Sequence, residues 1–320
     1  MNTFKWLLKR EFWEHKGGFF WLPIVVGAIM TAFIAVSLGF ALLGLKGGVK
    51  INGVDANSLV DIVGVEQKAA FAAHVVAGYA GLMMPMLIAF SFCVFFFCLN
   101  ALYDERKDRS VLFWKSLPIS DASTVLSKVV MALGVAPAIT LIVAAVTAMV
   151  AGLLICAAAA VAGLNIFGEV LGNADTYLAP IQMAAVLPIY ALWALPTIGW
   201  LLLVSAWARS KPLLWAIGVP LMTGTLLSWI NGMFQFGWNM GWFWKNVIGR
   251  LLASVLPGTW LGERIPALAI GEAMRTTSGM SEIVSQSWQL LASPNIWIGV
   301  AIGAAMIYTA IRLRGWRDEG

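Results

Sequence analysis

Long runs without charged residues alternate with short polar segments along this chain. The runs 69–103 and 129–167 contain no Asp, Glu, Lys or Arg. A helix needs about 20 consecutive apolar residues to cross a bilayer, and runs of that length recur here. The pattern predicts six transmembrane helices, at residues 21–43, 75–102, 129–162, 180–207, 213–231 and 294–311.

The first 20 residues have a different pattern, which is typical of an interfacial helix. Phe4, Leu7, Leu8 and Phe12 recur at helical spacing on one side, although Glu11 falls into the same side. A helix rich in Trp and Lys is expected to lie at the headgroup level of a membrane. A cleaved signal peptide is not expected, because the apolar run after it is longer than the roughly 7–15 residues of such signals.

The segment 232–293 is rather apolar, but a seventh span here would put Arg312, Arg314 and Arg317 outside, against the charge bias. It contains a charge-free run, 251–262, of 12 residues between Arg250 and Glu263, which is short for a span. We expect one or two re-entrant or interfacial helices here, interrupted at Pro257 and Gly258. The aromatic side chains of this segment are typical of a membrane-interface belt; they are Phe234, Phe236, Trp238, Trp242, Phe243 and Trp244.

Composition supports the same fold class. The chain is 60% hydrophobic and 12% charged, whereas about a quarter of a typical soluble domain is charged. We therefore expect one all-α integral membrane domain over residues 1–320, a six-helix bundle with an N-terminal interfacial helix. No soluble domain and no nucleic-acid partner are expected, and the bilayer itself is the first partner.

The basic residues predict the orientation. If both termini are cytoplasmic, 14 of the 21 Lys and Arg residues lie in cytoplasmic segments, as the positive-inside rule requires. The expected location is a cell membrane, with the bacterial inner membrane as the expected compartment.

The largest predicted cytoplasmic loop is a charged island, residues 104–128, between the second and third spans. We expect a mixed-charge helix over 104–115 that ends near Leu117, because Pro118 disfavours helical geometry in the residue before it. Ser120 or Asp121 is expected to cap the next helix, which enters the membrane at Lys128. A helix, a proline turn and a new helix start make a surface suited to docking a soluble partner.

The island resembles the first cytoplasmic loop of the ABC type-2 export permeases. The resemblance is carried by Glu105-Arg106, by Leu117-Pro118-Ile119-Ser120, and by Lys128 ten residues after Pro118. Where that family has a Gly-Thr pair, this chain has Arg109-Ser110. The resemblance covers about 25 residues as a motif and nearly the whole chain as architecture.

This resemblance implies a permease that moves an unidentified substrate outward by alternating access. Two copies of a separate ATPase subunit, which bind ATP and Mg, would dock on the coupling loop 103–128, and a second permease copy or a related permease would face spans two and five. The implied ATPase-coupling residues are Asp104, Glu105, Arg106, Arg109, Leu112, Leu117, Pro118 and Ser120. The candidates for a substrate path are Tyr79, Ser91, Thr223, Thr225 and Ser228.

The chain lacks the motifs that would make it an ATPase or another enzyme. The nearest match to the phosphate-binding loop GxxxxGK[ST] is Gly39, Gly44 and Lys46, which has Leu45 inserted before the lysine. We find no catalytic residues and no metal-ligand spacing, and we expect no cofactor bound by the chain itself. No charged residue falls within a predicted span, which counts against an ion-coupled carrier.

Several alternatives stay open. The island is equally compatible with a solvated turn, and the chain with a non-transporting membrane anchor or a membrane maturation factor that recruits a soluble partner. Trp193, Trp200 and Trp207, spaced by seven, favour a lipid-facing stripe over a cavity lining. Gly299 and Gly303 predict a close helix approach within the same bundle.

Overall fold

A computed structural model shows an all-α bundle, as the sequence predicts. It describes residues 3–46, 50–51, 54–55, 65–108, 119–263 and 277–317. Six helices are long and apolar enough to cross a membrane, so the chain is a multi-pass membrane protein. They are span 1 (Leu22–Lys46), span 2 (Val65–Asn100), span 3 (Asp121–Val130 continued by Ala136–Val161), span 4 (Asp175–Trp207), span 5 (Pro212–Phe234) and span 6 (Pro294–Arg317).

The remaining elements are short. The N-terminal helix is Thr3–Glu14, and single π-helical turns occur at Gly17–Trp21, Met131–Val135 and Trp244–Gly249. The other helices are Tyr103–Lys107, Phe167–Leu171, Met240–Phe243, Arg250–Ala253, Leu261–Glu263, Thr277–Gln289 and Leu290–Ala292. Two antiparallel strands of two residues each, Lys50–Ile51 and Val54–Asp55, follow span 1.

Spans 4 and 6 form the tightest pair in the bundle. A Cβ on Gly199 would lie 2.6 Å from the carbonyl oxygen of Gly303, and a Cβ on Gly303 would lie 2.7 Å from the backbone of Leu195. The two backbones therefore touch where both residues lack a side chain. This confirms the close approach predicted at Gly303, and it occurs within one chain.

Spans 2 and 3 pack beside this pair, whereas spans 1 and 5 are peripheral. Few residues of span 1 and of span 5 are buried. Side chains such as Phe33 of span 1 and Met222 of span 5 are 72% and 65% exposed. These two faces are available to lipid or to a partner membrane protein.

The N-terminal helix lies across one end of the bundle, against the start of span 3. Leu7 and Glu11 are buried, while Trp6 and Trp13 are each 57% exposed. The predicted N-terminal helix is thus confirmed, and the glutamate on its inner side is buried. We call this end of the molecule the charged end; spans 2, 4 and 6 finish there and spans 3 and 5 begin there.

At the opposite end, part of segment 232–293 enters the bundle. The Thr197 hydroxyl donates a hydrogen bond to the carbonyl of Arg250 (2.8 Å) and accepts one from the amide of Ser254 (3.1 Å). Because Thr197 lies 22 residues after span 4 begins at this end, this segment is re-entrant. Helical structure stops at Ala253, and Gly258 adopts φ +84°, which confirms the predicted interruption near Pro257.

Candidate functional site

The two described parts of the charged island, residues 104–108 and 119–128, turn charged side chains into the protein. Lys128 is 1% exposed and Glu11 of the N-terminal helix is 0% exposed. The Nζ atom of Lys128 lies 3.0 Å from both carboxylate oxygens of Glu11. An ion pair therefore joins residues 117 positions apart and fastens the N-terminal helix to the start of span 3.

Glu105, at the beginning of the island, is the centre of this arrangement. Its Oε1 lies 3.0 Å from Lys128 Nζ and 3.2 Å from Arg10 Nη2, and its Oε2 lies 2.9 Å from Arg314 Nη1. Arg314, near the end of span 6, also pairs with Asp121 at 3.0 Å. One carboxylate thus contacts cations from the N-terminal helix, span 3 and span 6.

We call this cluster the buried ion network. It comprises Arg10, Glu11, Glu105, Asp121, Lys128 and Arg314, which ion pairs join to one another, and Arg10 also pairs with the exposed Glu14. Charges withdrawn from water lose several kcal/mol of hydration each, and the network offsets this only while every partner is present. Loss of one member leaves a buried charge uncompensated.

A second set of contacts fastens the start of the island to span 4. The Ser205 hydroxyl accepts hydrogen bonds from the amides of Leu102 (2.9 Å) and Tyr103 (3.0 Å). Arg106 donates to the carbonyls of Ser205 and Ala208 (3.0 Å for the latter). Span 4 thereby satisfies amides that are free where span 2 stops and the next helix starts.

The far end of the island carries the predicted helix cap. Ser120 has extended backbone geometry, and its Oγ accepts a hydrogen bond from the amide of Ser123 at 3.2 Å. The cap is therefore Ser120 rather than Asp121, whose carboxylate pairs with Arg314 instead. Helix Asp121–Val130 starts at a defined residue, which places Lys128 on its buried side.

The structure divides the eight predicted coupling residues. Asp104 is exposed, Glu105 and Arg106 bind other parts of the same chain, and Ser120 caps a helix. The other four, Arg109, Leu112, Leu117 and Pro118, lie outside the described residues. The predicted helix over 104–115 is described only as Tyr103–Lys107.

Sequence reasoning did not identify Arg10, Glu11, Arg314 or Ser205 as members of this site. One signal was present, since Glu11 interrupts the apolar side of an otherwise amphipathic helix. A carboxylate on a buried face requires a cation, and Lys128 supplies it. The other three had no local signal, because their partners come from distant segments.

The five substrate-path candidates do not share a site. Tyr79 and Ser91 are 2% and 1% exposed within the bundle, and Ser91 donates to the carbonyl of Leu87 on its own helix. Thr223 and Thr225 donate to carbonyls of span 5 and are exposed. Ser228 accepts a hydrogen bond from the indole of Trp244 at 2.9 Å. Their role in a path stays a prediction.

The expected lipid-facing stripe of tryptophans on span 4 is wrong for Trp193. This side chain is 4% exposed, and its indole donates to Thr259 at 3.0 Å. Trp200 donates to the carbonyl of Ala216 on span 5, and only Trp207 is well exposed, at 42%. The re-entrant segment covers the face of span 4 around Trp193 that would otherwise meet lipid.

One group of possible metal ligands adjoins the buried ion network. Glu11, Glu14 and His15 offer ligand atoms within 4.8 Å of one another. Lys128 already contacts both oxygens of Glu11, and Arg10 contacts one oxygen of Glu14 at 3.1 Å. These cations occupy the positions from which a metal ion would be bound, so we assign no metal to this group.

No protein-family model, curated protein or solved structure matches this chain. The functional conclusion therefore depends on the geometry of the charged end and on the residue pattern of the island.

Proposed function

We propose that this chain is the membrane-spanning permease subunit of an ATP-driven ABC exporter, whose charged island receives the movement of a separate ATPase subunit. The observation that carries the proposal is that both ends of the island are fastened to other elements. Glu105 and Lys128 join it to the N-terminal helix, Glu105 and Asp121 to span 6, and Arg106 to span 4.

These connections suit the island for transmitting force. Coupling between distant parts of a protein needs contiguous contacts that move together. Ion pairs that exclude water are stiff, because breaking any of them exposes an unpaired charge to the protein interior. A displacement of the island is then passed to spans 3, 4 and 6 together.

The orientation and the partners belong to the same proposal. The charged end would face the cytoplasm, since 14 of 21 basic residues lie there or in the adjoining loops. Two ATPase subunits would bind ATP and Mg below it. The exposed face of span 5, where Leu214 and Trp229 are each 64% exposed, would meet a second permease copy or a related permease.

The test is co-expression with the ATPase encoded nearest to this gene, followed by purification and measurement of ATP hydrolysis in nanodiscs. We expect a stoichiometric complex. Asp104→Lys, on the exposed part of the island, should weaken assembly, whereas Glu169→Lys, an exposed acidic residue at the opposite end, should not. Failure to assemble under gentle extraction, or equal behaviour of the two variants, would count against the proposal.

A second candidate function is a non-transporting membrane anchor or maturation factor that recruits a soluble partner. It is favoured by the apolar character of the cavity between spans 2 and 4. This cavity, of about 80 Å³, is lined by side chains such as Met84, Leu87 and Phe90, together with Tyr190 and Trp260. An anchor would bind its partner through the island without substrate movement, so a transport assay on the assembled complex separates the two functions.

A further inference from the structure

Arg250 occupies an unusual position for a cation in this protein. Its carbonyl accepts hydrogen bonds from the hydroxyls of Thr197 (2.8 Å) and Ser254 (2.6 Å). Thr197 precedes the end of span 4 by ten residues, which is about 15 Å along a helix, and a bilayer core is about 30 Å thick. The re-entrant segment therefore carries the backbone of Arg250 into the bundle, and its side chain extends to Asn295 at the start of span 6.

The guanidinium group is positioned by contacts with spans 4 and 6. Its Cζ lies 4.2 Å from the ring centroid of Trp193, and its Nη1 donates to the carbonyl of Asn295 at 2.6 Å. Gly299 of span 6 leaves the space that the guanidinium fills, because a Cβ there would collide with it. The cation is thus positioned in advance, at the start of span 6.

Next to this guanidinium is a cavity of about 250 Å³. An engineered cavity of about 150 Å³ already holds benzene, so this space is large enough for a chemical group. Asn246 and Asn295 line it together with Arg250, whereas Ile298 and Ile302 form an apolar wall. These isoleucines are 57% and 46% exposed, so the apolar wall continues onto the lipid-facing surface of span 6.

We infer that this cavity binds an anionic amphiphile, with a phosphate head at Arg250 and a hydrocarbon chain along Ile298 and Ile302. Arginine is suited to phosphate because its fork of N–H groups matches the oxygens. The chemistry is shared by a bilayer phospholipid and by a soluble single-chain amphiphile. This inference does not depend on the proposed transport function.

The test uses the full chain purified in an uncharged detergent and titrated with decyl phosphate, with bound molecules counted by native mass spectrometry. We expect one saturable site. Arg250→Gln should weaken binding about tenfold or more, because a hydrogen bond to a charged group contributes about 1.5–3 kcal/mol. Lys245→Gln, which removes an exposed cation of the same segment, should change the affinity less than about twofold.

A second variant tests the binding of the hydrocarbon chain and leaves the contact between Arg250 and Trp193 in place. Ile302→Trp fills the apolar wall from an exposed position and should also abolish saturable binding of decyl phosphate. Displacement by phosphatidylglycerol but not by phosphatidylcholine identifies a phospholipid as the occupant. If neither phospholipid displaces decyl phosphate, the occupant is a single-chain amphiphile. Equal binding to Arg250→Gln and Lys245→Gln, or equal affinity for inorganic phosphate and for decanol, overturns the inference.

Discussion

The pair formed by Glu11 and Lys128 gives the sharpest test of the buried ion network. Lys128→Met removes a cation that contacts two carboxylates at 3.0 Å and leaves Glu11, which is 0% exposed, with Arg10 alone. Removing one partner of a buried ion pair costs about 3–5 kcal/mol. At about 2.1 cal/mol/K per residue, the 320-residue chain has an unfolding entropy of about 0.7 kcal/mol/K. Dividing the free-energy cost by this entropy gives an expected fall in unfolding temperature of about 4–7 °C.

The assay is a double-mutant cycle on the detergent-purified protein, read by thermal unfolding. The double variant Glu11→Leu with Lys128→Met removes both charges together and should cost no more than Lys128→Met alone. Lys107→Met is the matched control, since this lysine is on the same island and exposed, and it should change stability by less than about 0.5 kcal/mol. Two results would show that the network does not stabilise the charged end. One is equal stability of Lys128→Met and Lys107→Met; the other is a cost of the double variant equal to the sum of the costs of Glu11→Leu and Lys128→Met.

Three further predictions concern the other contacts of the fold. Ser205→Ala should cost about 1–3 kcal/mol and speed hydrogen exchange at the amides of Leu102 and Tyr103, because these two donors lose their shared acceptor. Unchanged exchange at both amides would contradict this. Gly303→Leu should push spans 4 and 6 apart and destabilise the protein strongly, whereas Gly39→Leu, at a site with nothing within 4 Å of the added carbon, should be tolerated; equal stability of the two variants would show that the close approach is unimportant. In a cysteine-free background, Lys107→Cys should react with an impermeant reagent only from the cytoplasmic side and Lys245→Cys only from the other, and labelling of both from one side would refute the proposed orientation.

The spans could be predicted because length and composition are enough to identify them. A charge-free run of 20 or more residues has few stable alternatives to a membrane helix, since every backbone polar group must be satisfied within the segment. The cap at Ser120 was predictable for a similar reason, as it depends on residues three positions apart. The interruption near Pro257 also follows from local backbone preferences.

The site was predictable only in part. The island marked the correct region, and its Glu105 and Lys128 are central to the network. In the structure both side chains bind other parts of the same chain, and their role in coupling stays a prediction. Arg250 was recognised only as a residue that flanks the short apolar run 251–262, whereas its backbone carbonyl bonds to Thr197 of span 4.

The sequence by itself therefore determined the number of spans, the amphipathic N-terminal helix and the helix start at Ser120, whereas the helix of span 2 begins ten residues before the predicted span. These properties depend on hydrophobic length and on contacts within a few residues. Only the tertiary structure decided which charges are buried and paired. The attraction between Glu11 and Lys128 acts across 117 positions of sequence, and it exists because the N-terminal helix packs against the start of span 3. Pairing of this kind depends on the arrangement of helix ends in space, for which no single segment carries a signal.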